Sequence, residues 1–413
     1  MLVKRMHEDL AYSDKLSSGK RVAAGRGVIC YAANAVSGTG GQGEFLRHMV
    51  YTLDQVARGR VLSRQATGER AQCVDIPFGG WRQAFISTIS RIPILRRRRD
   101  VLTLMGDVDF DTRLRTHLGD IVLFDGVMGQ CSRTFEFLSG KGVPLVLTAL
   151  NTHIDNLIET LTDEYRRLQL REPIFVHPYM RKRIHHEIER AVFIRVISET
   201  AKQSFIDQGV PSSKIEVIHP AIDLDHFRPV TKLDDTFRVM AVISIEPRKG
   251  LHYLLEAFEK AAIPGSELVI IGGTWDRWSS QMLRYYMSRM SNVSLQSANV
   301  MKEPVEQTYG RASVLVHPAV EDGFALAVGQ ALACGKPVIV TRQTGAAEIV
   351  QDGKAGYIVE CRDVDGIVDR LRLLVRNESL LNRLAEAAPM AVSNLGYPAV
   401  AQRVTRLYDR MLA

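Results

Sequence analysis

The segment Ser244-Ile245-Glu246-Pro247-Arg248-Lys249-Gly250 places two adjacent cations in a loop that runs directly into a helical pattern. Arg forks a phosphate through paired N–H groups, and Lys supplies a compact point charge. A phosphate held there would also feel the positive end of the helix that follows. A second segment runs from Glu321 to Ile339: an acidic pair, a glycine turn, a small-residue helix, then Gly-Lys-Pro before an apolar run. Glu321 and Asp322 suit sugar hydroxyls. The backbone N–H groups of Gly323, Phe324, Ala325 and Leu326 suit phosphate oxygens at a helix start. Gln330 offers an amide to a ribose. Small residues at Ala325, Ala327 and Gly329 leave room for a ligand, and they fit a tightly packed core helix equally well.

A third segment, Gly38-Thr39-Gly40-Gly41-Gln42-Gly43, matches G-x-G-x-x-G and precedes a helix. Nicotinamide or flavin dinucleotide binding also wants an acid about 20 residues on, at the end of the second strand. Here Asp54 lies within the helical pattern, and Glu69 and Asp75 flank the next strand, so that reading ranks low; a tight turn without a ligand stays open. His153 follows the apolar run Leu145–Thr148, where a strand's C-terminal end would carry it to a cleft. His185-His186-Glu187-Ile188-Glu189 lacks H-E-x-x-H spacing and lies in alternating charge, which reads as a solvated helix face with no metal site.

The elements that must position these residues are short. Val28–Ala33 reads as a buried strand, followed by the glycine loop and a helix over Glu44–Arg58. Ile121–Phe124, Pro144–Thr148, Val192–Ile197 and Ile215–Ile218 read as further strands, as do Phe237–Val242, Glu267–Gly273, Val314–His317 and Pro337–Val340. Helical patterns alternate with them. Such alternation predicts two α/β halves, each a parallel sheet covered by helices, with a cleft between. A polar stretch over Asp223–Asp235 reads as the linker.

Length and composition fit this. The 413 residues are 46% hydrophobic and 24% charged, ordinary globular usage for about two domains. The net charge of +7 is uneven: residues 1–100 carry 17 Lys+Arg against 8 Asp+Glu, densest at Arg96-Arg97-Arg98-Arg99. Trp81, Phe85, Ile86, Ile89, Ile92 and Leu95 recur near helical spacing beside those arginines, a pattern that suits either an anionic membrane surface or an ordinary basic helix cap. No stacking platform accompanies the charge, so nucleic acid is not an expected partner. Five dispersed cysteines without C-x-x-C read as reduced core residues of a cytoplasmic protein. The N-terminus lacks a signal-peptide apolar core, and no run of about 18 apolar residues occurs.

Taken in order, these segments resemble a retaining glycosyltransferase of family 4, with the GT-B fold. Asp322 to Val338 is similar to the family's E-G-F-G-L-P-x-x-E-A-M-A-C-G-x-P-V. Gly345-Ala346-Ala347-Glu348-Ile349-Val350-Gln351-Asp352-Gly353 is similar to its G-x-x-E-I-V-x-D-G. Lys249-Gly250 with Leu254-Leu255-Glu256-Ala257-Phe258 resembles K-G-x-x-x-L-L-E-A-F, Ile222 to Pro229 resembles V-D-x-x-x-F-x-P, and Gly40-Gly41 matches a first-half G-G loop.

The resemblance implies an α/β fold of two Rossmann-like domains facing across a cleft. It implies a mobile arm over 1–20, an acceptor-side domain over 21–225, a nucleotide-sugar domain over 226–390, and a last helix over 391–413 crossing back to the first. A UDP-, GDP- or similar nucleotide sugar would be the donor, and a glycan or lipid-linked hydroxyl the acceptor, with no cofactor or obligatory metal. Lys249 and Arg248 would neutralise the leaving diphosphate. Asp322 would contact the donor sugar, with Glu321 as its rival; His153 would stand in the cleft. Gly40, Gly41, Ser244, Val300, Gly323, Phe324, Ala325, Leu326 and Gln330 would line the donor. Departures are plain: Asp322 and Gln330 replace a glutamate pair, Ala325 replaces a glycine, and Ser244 stands where an arginine is usual. A non-catalytic nucleotide-sugar or glycan-binding protein of the same fold is the alternative. The enzyme would work in cell-envelope or exopolysaccharide synthesis, in the cytoplasm or peripherally on the inner face of the membrane.

Overall fold

A computed structural model describes residues 27–78, 98–274, 276–296 and 304–413, without the side chains of Arg99 and Glu306. Val300 and the stretch from Trp81 through Arg97 lie outside the described residues.

The first sheet holds β1 (Val28–Val36), β2 (Gly59–Gln65), β3 (Gln72–Asp75), β4 (Ile121–Val127), β5 (Leu145–Ala149), β6 (Phe193–Val196) and β7 (Ile215–Val217), in the order β3-β2-β1-β4-β5-β6-β7. The second holds β8 (Arg238–Val242), β9 (Glu267–Ile271), β10 (Val293–Gln296), β11 (Val314–His317), β12 (Val338–Thr341) and β13 (Gly356–Val359), in the order β10-β9-β8-β11-β12-β13. The neighbouring strands in both sheets run parallel. Parallel strands are covered on both faces, which is why they read as unbroken apolar runs in the sequence. The chain order reverses between β1 and β4, and again between β8 and β11. Crevices open beyond the strand ends at such points. The expected boundary at 225/226 falls in the irregular segment joining β7 to β8.

The helices that bear on function are α1 (Gly40–Asp54), α2 (Arg99–Leu114), α3 (Ile154–Arg167), α4 (Pro178–Arg190), α5 (Glu199–Asp207), α6 (Leu251–Ala261), α7 (Leu326–Ala333), the single turn α8 (Ala347–Val350) and α9 (Tyr397–Leu412). The first of these starts at Gly40, four residues before the expected Glu44, so the glycines form its first turn. The last packs on α1 and β4, and Tyr408 Oη donates 2.6 Å to Asp125 Oδ2. Asp125 is fully buried, and Arg195 and Thr148 meet the same carboxylate at 3.1 Å and 2.5 Å.

Candidate active site

The loop after β8 is shaped by one glycine. Pro247–Lys249 forms a short 3-10 turn and Gly250 follows at φ +66°. A Cβ at Gly250 would sit 2.0 Å from the Pro318 carbonyl oxygen, so only glycine lets this loop pass beneath the loop after β11. That close approach brings Arg248 and Lys249 against Glu321 and Asp322.

Two ion pairs result. Lys249 Nζ donates to Asp322 Oδ2 at 2.5 Å, and Arg248 Nη1 donates to Glu321 Oε2 at 2.8 Å. Arg248 also reaches Glu246 Oε1 at 3.3 Å, where Ser244 Oγ donates at 3.2 Å. His317 Nε2, at the end of β11, lies 2.9 Å from Asp322 Oδ2. The other oxygen, Oδ1, accepts from the Phe324 and Ala325 N–H groups at 3.4 Å and 3.2 Å. Burial favours the protonated acid, but the Lys249 ammonium and the His317 hydrogen bond outweigh it and hold Asp322 well below the usual carboxylate range. Burial lowers the His317 imidazole from its usual value, against the opposing pull of Asp322. Burial opposes the Arg248 charge, and Glu321 and Glu246 overcome that and hold its pKa above the ordinary guanidinium value.

Asp322 therefore fills the place that the sequence assigns to a phosphate. It takes Lys249 and the backbone N–H groups ahead of α7 together. Glu321 is nearly fully buried. Its Oε1 accepts from Thr152 Oγ1 of the first domain at 2.8 Å, so this residue ties Arg248 to the facing sheet. Ala325 adopts φ +64°, a left-handed conformation that glycine takes at less steric cost. Gln330 is buried, and its Oε1 accepts from Tyr309 Oη at 2.8 Å, a bond within the domain core. Phe324 is buried and its ring lies 5.5 Å from that of His219; Leu326 opens α7.

Gly323 lies against the first domain: a Cβ there would come within 2.9 Å of the Leu150 carbonyl and 3.1 Å of Asn151 Cα. Gly40 and Gly41 are exposed at the start of α1 with open space beside them. His153 turns elsewhere. It caps α3, accepting from Asp155 N at 3.3 Å, and its ring packs 5.0 Å from Phe205 and 5.5 Å from His185. The expected cleft position is held by Thr152, one residue earlier, because the helix cap fixes His153 on the far side of the turn. Burial lowers the His153 imidazole to about 4.

Two further residues join the domains. Glu164, fully buried on α3, accepts from Arg362 Nε at 2.8 Å and Tyr253 Oη at 2.9 Å, with His252 Nε2 at 3.1 Å. Glu348, the acid of the G-x-x-E-I-V stretch, caps α5 of the first domain by accepting from Glu199 N and Thr200 N at 3.0 Å and 2.9 Å. Between these contacts lies a cavity of about 620 Å³, walled by Thr152, Asn156, Glu159, Gln203, Glu321 and Arg362 among others. Glu164 and His317 carry no motif of their own in the sequence. Glu348 does, but nothing in one chain announces that its partner is a helix N-terminus in the other domain. No helix among the described residues is long and apolar enough to cross a membrane.

Comparison with known proteins gives likenesses in sequence and in fold. Residues 224–390 match the family model of Glycosyl transferases group 1. A D-inositol 3-phosphate glycosyltransferase of a Nocardioides species is 26% identical over 242 residues, 52% of each chain. The capsular polysaccharide biosynthesis glycosyltransferase CapM of Staphylococcus aureus is 30% identical over 165 residues, 39% of this chain and 43% of that one. The matched stretch thus spans about half the length of these curated relatives. Among solved structures, a sucrose-phosphate synthase from Thermosynechococcus elongatus superposes with a TM-score of 0.74 at 17% identity, covering 94% of this chain and 99% of that one. Anabaena HepE in complex with UDP-glucose gives 0.68 at 13%, covering 93% and 100%. These likenesses establish the GT-B fold, two parallel sheets facing one another. The likeness to glycosyl transferases group 1 lies in the second domain, residues 224–390.

Proposed function

We propose that the protein is a retaining, metal-independent hexosyltransferase of family 4. It moves a sugar from a nucleoside-diphosphate sugar to a hydroxyl of a glycan or lipid-linked acceptor. The observation that carries this is the pairing of two cations, Arg248 and Lys249, with two carboxylates, Glu321 and Asp322, at the mouth of α7. A donor diphosphate takes Lys249 and the N–H groups of Phe324 and Ala325 from Asp322. The released carboxylate then turns to the hydroxyls of the donor sugar. As the bond from the anomeric carbon to the diphosphate breaks, the leaving oxygens gain charge beside Lys249 and Arg248, which stabilise it without an added ion. Gly40 and Gly41 present bare backbone to the donor from the facing domain. The names of relatives support the reading: one is a capsular polysaccharide enzyme, and one structural neighbour was solved with UDP-glucose. Envelope or exopolysaccharide synthesis is the corresponding setting.

The test is a thermal-shift and transfer panel over UDP- and GDP-sugars, with Lys249→Ala as control. UDP or GDP should raise the melting temperature of the wild type and not of the variant, and transfer should persist in a chelator. An unchanged shift in Lys249→Ala refutes the diphosphate role. A second reading, a nucleotide-sugar- or glycan-binding protein without turnover, follows from Asp322 and Gln330 standing in place of a glutamate pair, with Asp322 held by Lys249 and Gln330 by Tyr309. Binding without hydrolysis or transfer on every donor and acceptor tried would select it. Membrane association through Arg96–Arg99 is tested by flotation with anionic against neutral liposomes.

A further inference from the structure

In the first domain, the start of α3 and the middle of α4 bring His153 and Asp155 beside His185. One ring nitrogen each of His153 and His185 and a carboxylate oxygen of Asp155 all lie within 4.8 Å of one another. His185 Nε2 is 3.0 Å from Asp155 Oδ2, while Arg181 Nε holds the other oxygen, Oδ1, at 2.5 Å. Glu189 stands one helical turn after His185 on the same face of α4. It lines, with all three, a depression of about 240 Å³. Lys214 also lines it, with its ammonium turned to the carbonyls of Ile188 and Glu189.

We propose that His153, Asp155 and His185 form a binding site for a borderline divalent cation such as Zn²⁺ or Co²⁺. Two imidazoles and one carboxylate are the donor set these ions favour, whereas Mg²⁺ and Ca²⁺ want oxygen ligands throughout. The cation takes the place of the proton that His185 and Asp155 share, and the displaced ring proton moves to the other nitrogen of His185. His153 is held by its cap and by the edge of Phe205, and Asp155 by Arg181, so two of the three ligands are already oriented. The depression leaves room for Glu189 or water as a fourth ligand. The site is separate from the transfer chemistry. Its bearing is on the start of α3, one residue beyond the Thr152 that meets Glu321.

The experiment titrates chelator-stripped full-length protein with Co²⁺ and with Zn²⁺, reading visible Co²⁺ absorption, calorimetric stoichiometry and melting temperature. The wild type should bind one ion per chain, with a rise in melting temperature. His185→Ala, a half-exposed position, and His153→Asn, which keeps a capping acceptor, should each weaken binding at least tenfold. His186→Ala, the neighbour that meets Ser132 instead, should bind as the wild type does. Absence of stoichiometric binding in the wild type overturns the proposal. So does equal binding by His185→Ala, or a preference for Mg²⁺. These readouts need no sugar transfer, so failure here leaves the proposed activity standing, and the reverse holds too.

Discussion

The Lys249 ammonium and the Asp322 carboxylate meet at 2.5 Å, and that carboxylate also accepts the backbone N–H groups at the start of α7. An anion site is thus closed by a side chain of the protein itself. On the proposed donor mode, a diphosphate must displace it. Asp322→Asn keeps the two backbone bonds, since an amide oxygen accepts them, but gives up the charge that competes with the ligand. UDP or GDP affinity should rise about tenfold, equivalent to ~1.4 kcal/mol. Sugar transfer should fall, because the freed carboxylate no longer serves the donor. Calorimetry with the nucleotide and a transfer assay measure both. Weaker nucleotide binding in the variant would show that Asp322 supports the diphosphate rather than excluding it.

Ala325 pays a steric cost at φ +64° that glycine does not. Its Cβ crowds the backbone in the left-handed region, at about 1 kcal/mol, partly offset by the extra freedom glycine brings to the unfolded chain. Ala325→Gly should therefore stabilise the protein by about 0.5 kcal/mol, read as a higher urea midpoint with unchanged slope. A lower midpoint would mean that the methyl packs against the core more than it strains the turn.

The terminal helix is fastened by a buried carboxylate. Asp125 is approached by Tyr408, Arg195 and Thr148, all fully or almost fully buried. Tyr408→Phe removes one hydrogen bond to a charged acceptor and leaves the others, so it should cost about 2 kcal/mol of unfolding free energy. Denaturant titration gives the value. A loss below about 0.5 kcal/mol would show that Arg195 and Thr148 satisfy the carboxylate without Tyr408.

Much of this was legible in the chain. Apolar runs such as Glu267–Gly273 and Val314–His317 gave their strands to within a residue or two, because a parallel strand buried on both faces cannot alternate. That Arg248-Lys249 and Gly323 stand in loops ahead of helices was legible from residue type and the pattern that follows. Their present partners were not. That Asp322 would satisfy its own loop, or that Thr152 and not His153 would face Glu321, depends on helix caps and side-chain rotamers that spacing does not encode. The pairing of Arg195, inside the strand run Val192–Ile197, with the buried Asp125 is shown only by the fold. The stretch from Trp81 to Leu95 and Val300, expected to line the donor, lie outside the described residues.

The junction between domains should respond to acid. Glu164 faces His252, Tyr253 and Arg362, with Asp163 and Arg167 nearby, and Glu348 faces His219 and the start of α5. Burial would raise both carboxyls, but hydrogen bonds from His252 and Tyr253 to the one, and from His219 and backbone N–H groups to the other, hold each below the ordinary value of 4.5. An acid whose pKa is lower folded than unfolded adds stability that is fully present above the unfolded value. That stability is lost as pH falls through the folded one. The difference in urea midpoint between wild type and Glu164→Gln should therefore hold steady from about pH 7 to pH 5 and shrink as pH falls below about 4.5. A gap that stays constant to pH 3 would mean that Glu164 contributes through shape alone and that its charge does not hold the two domains together.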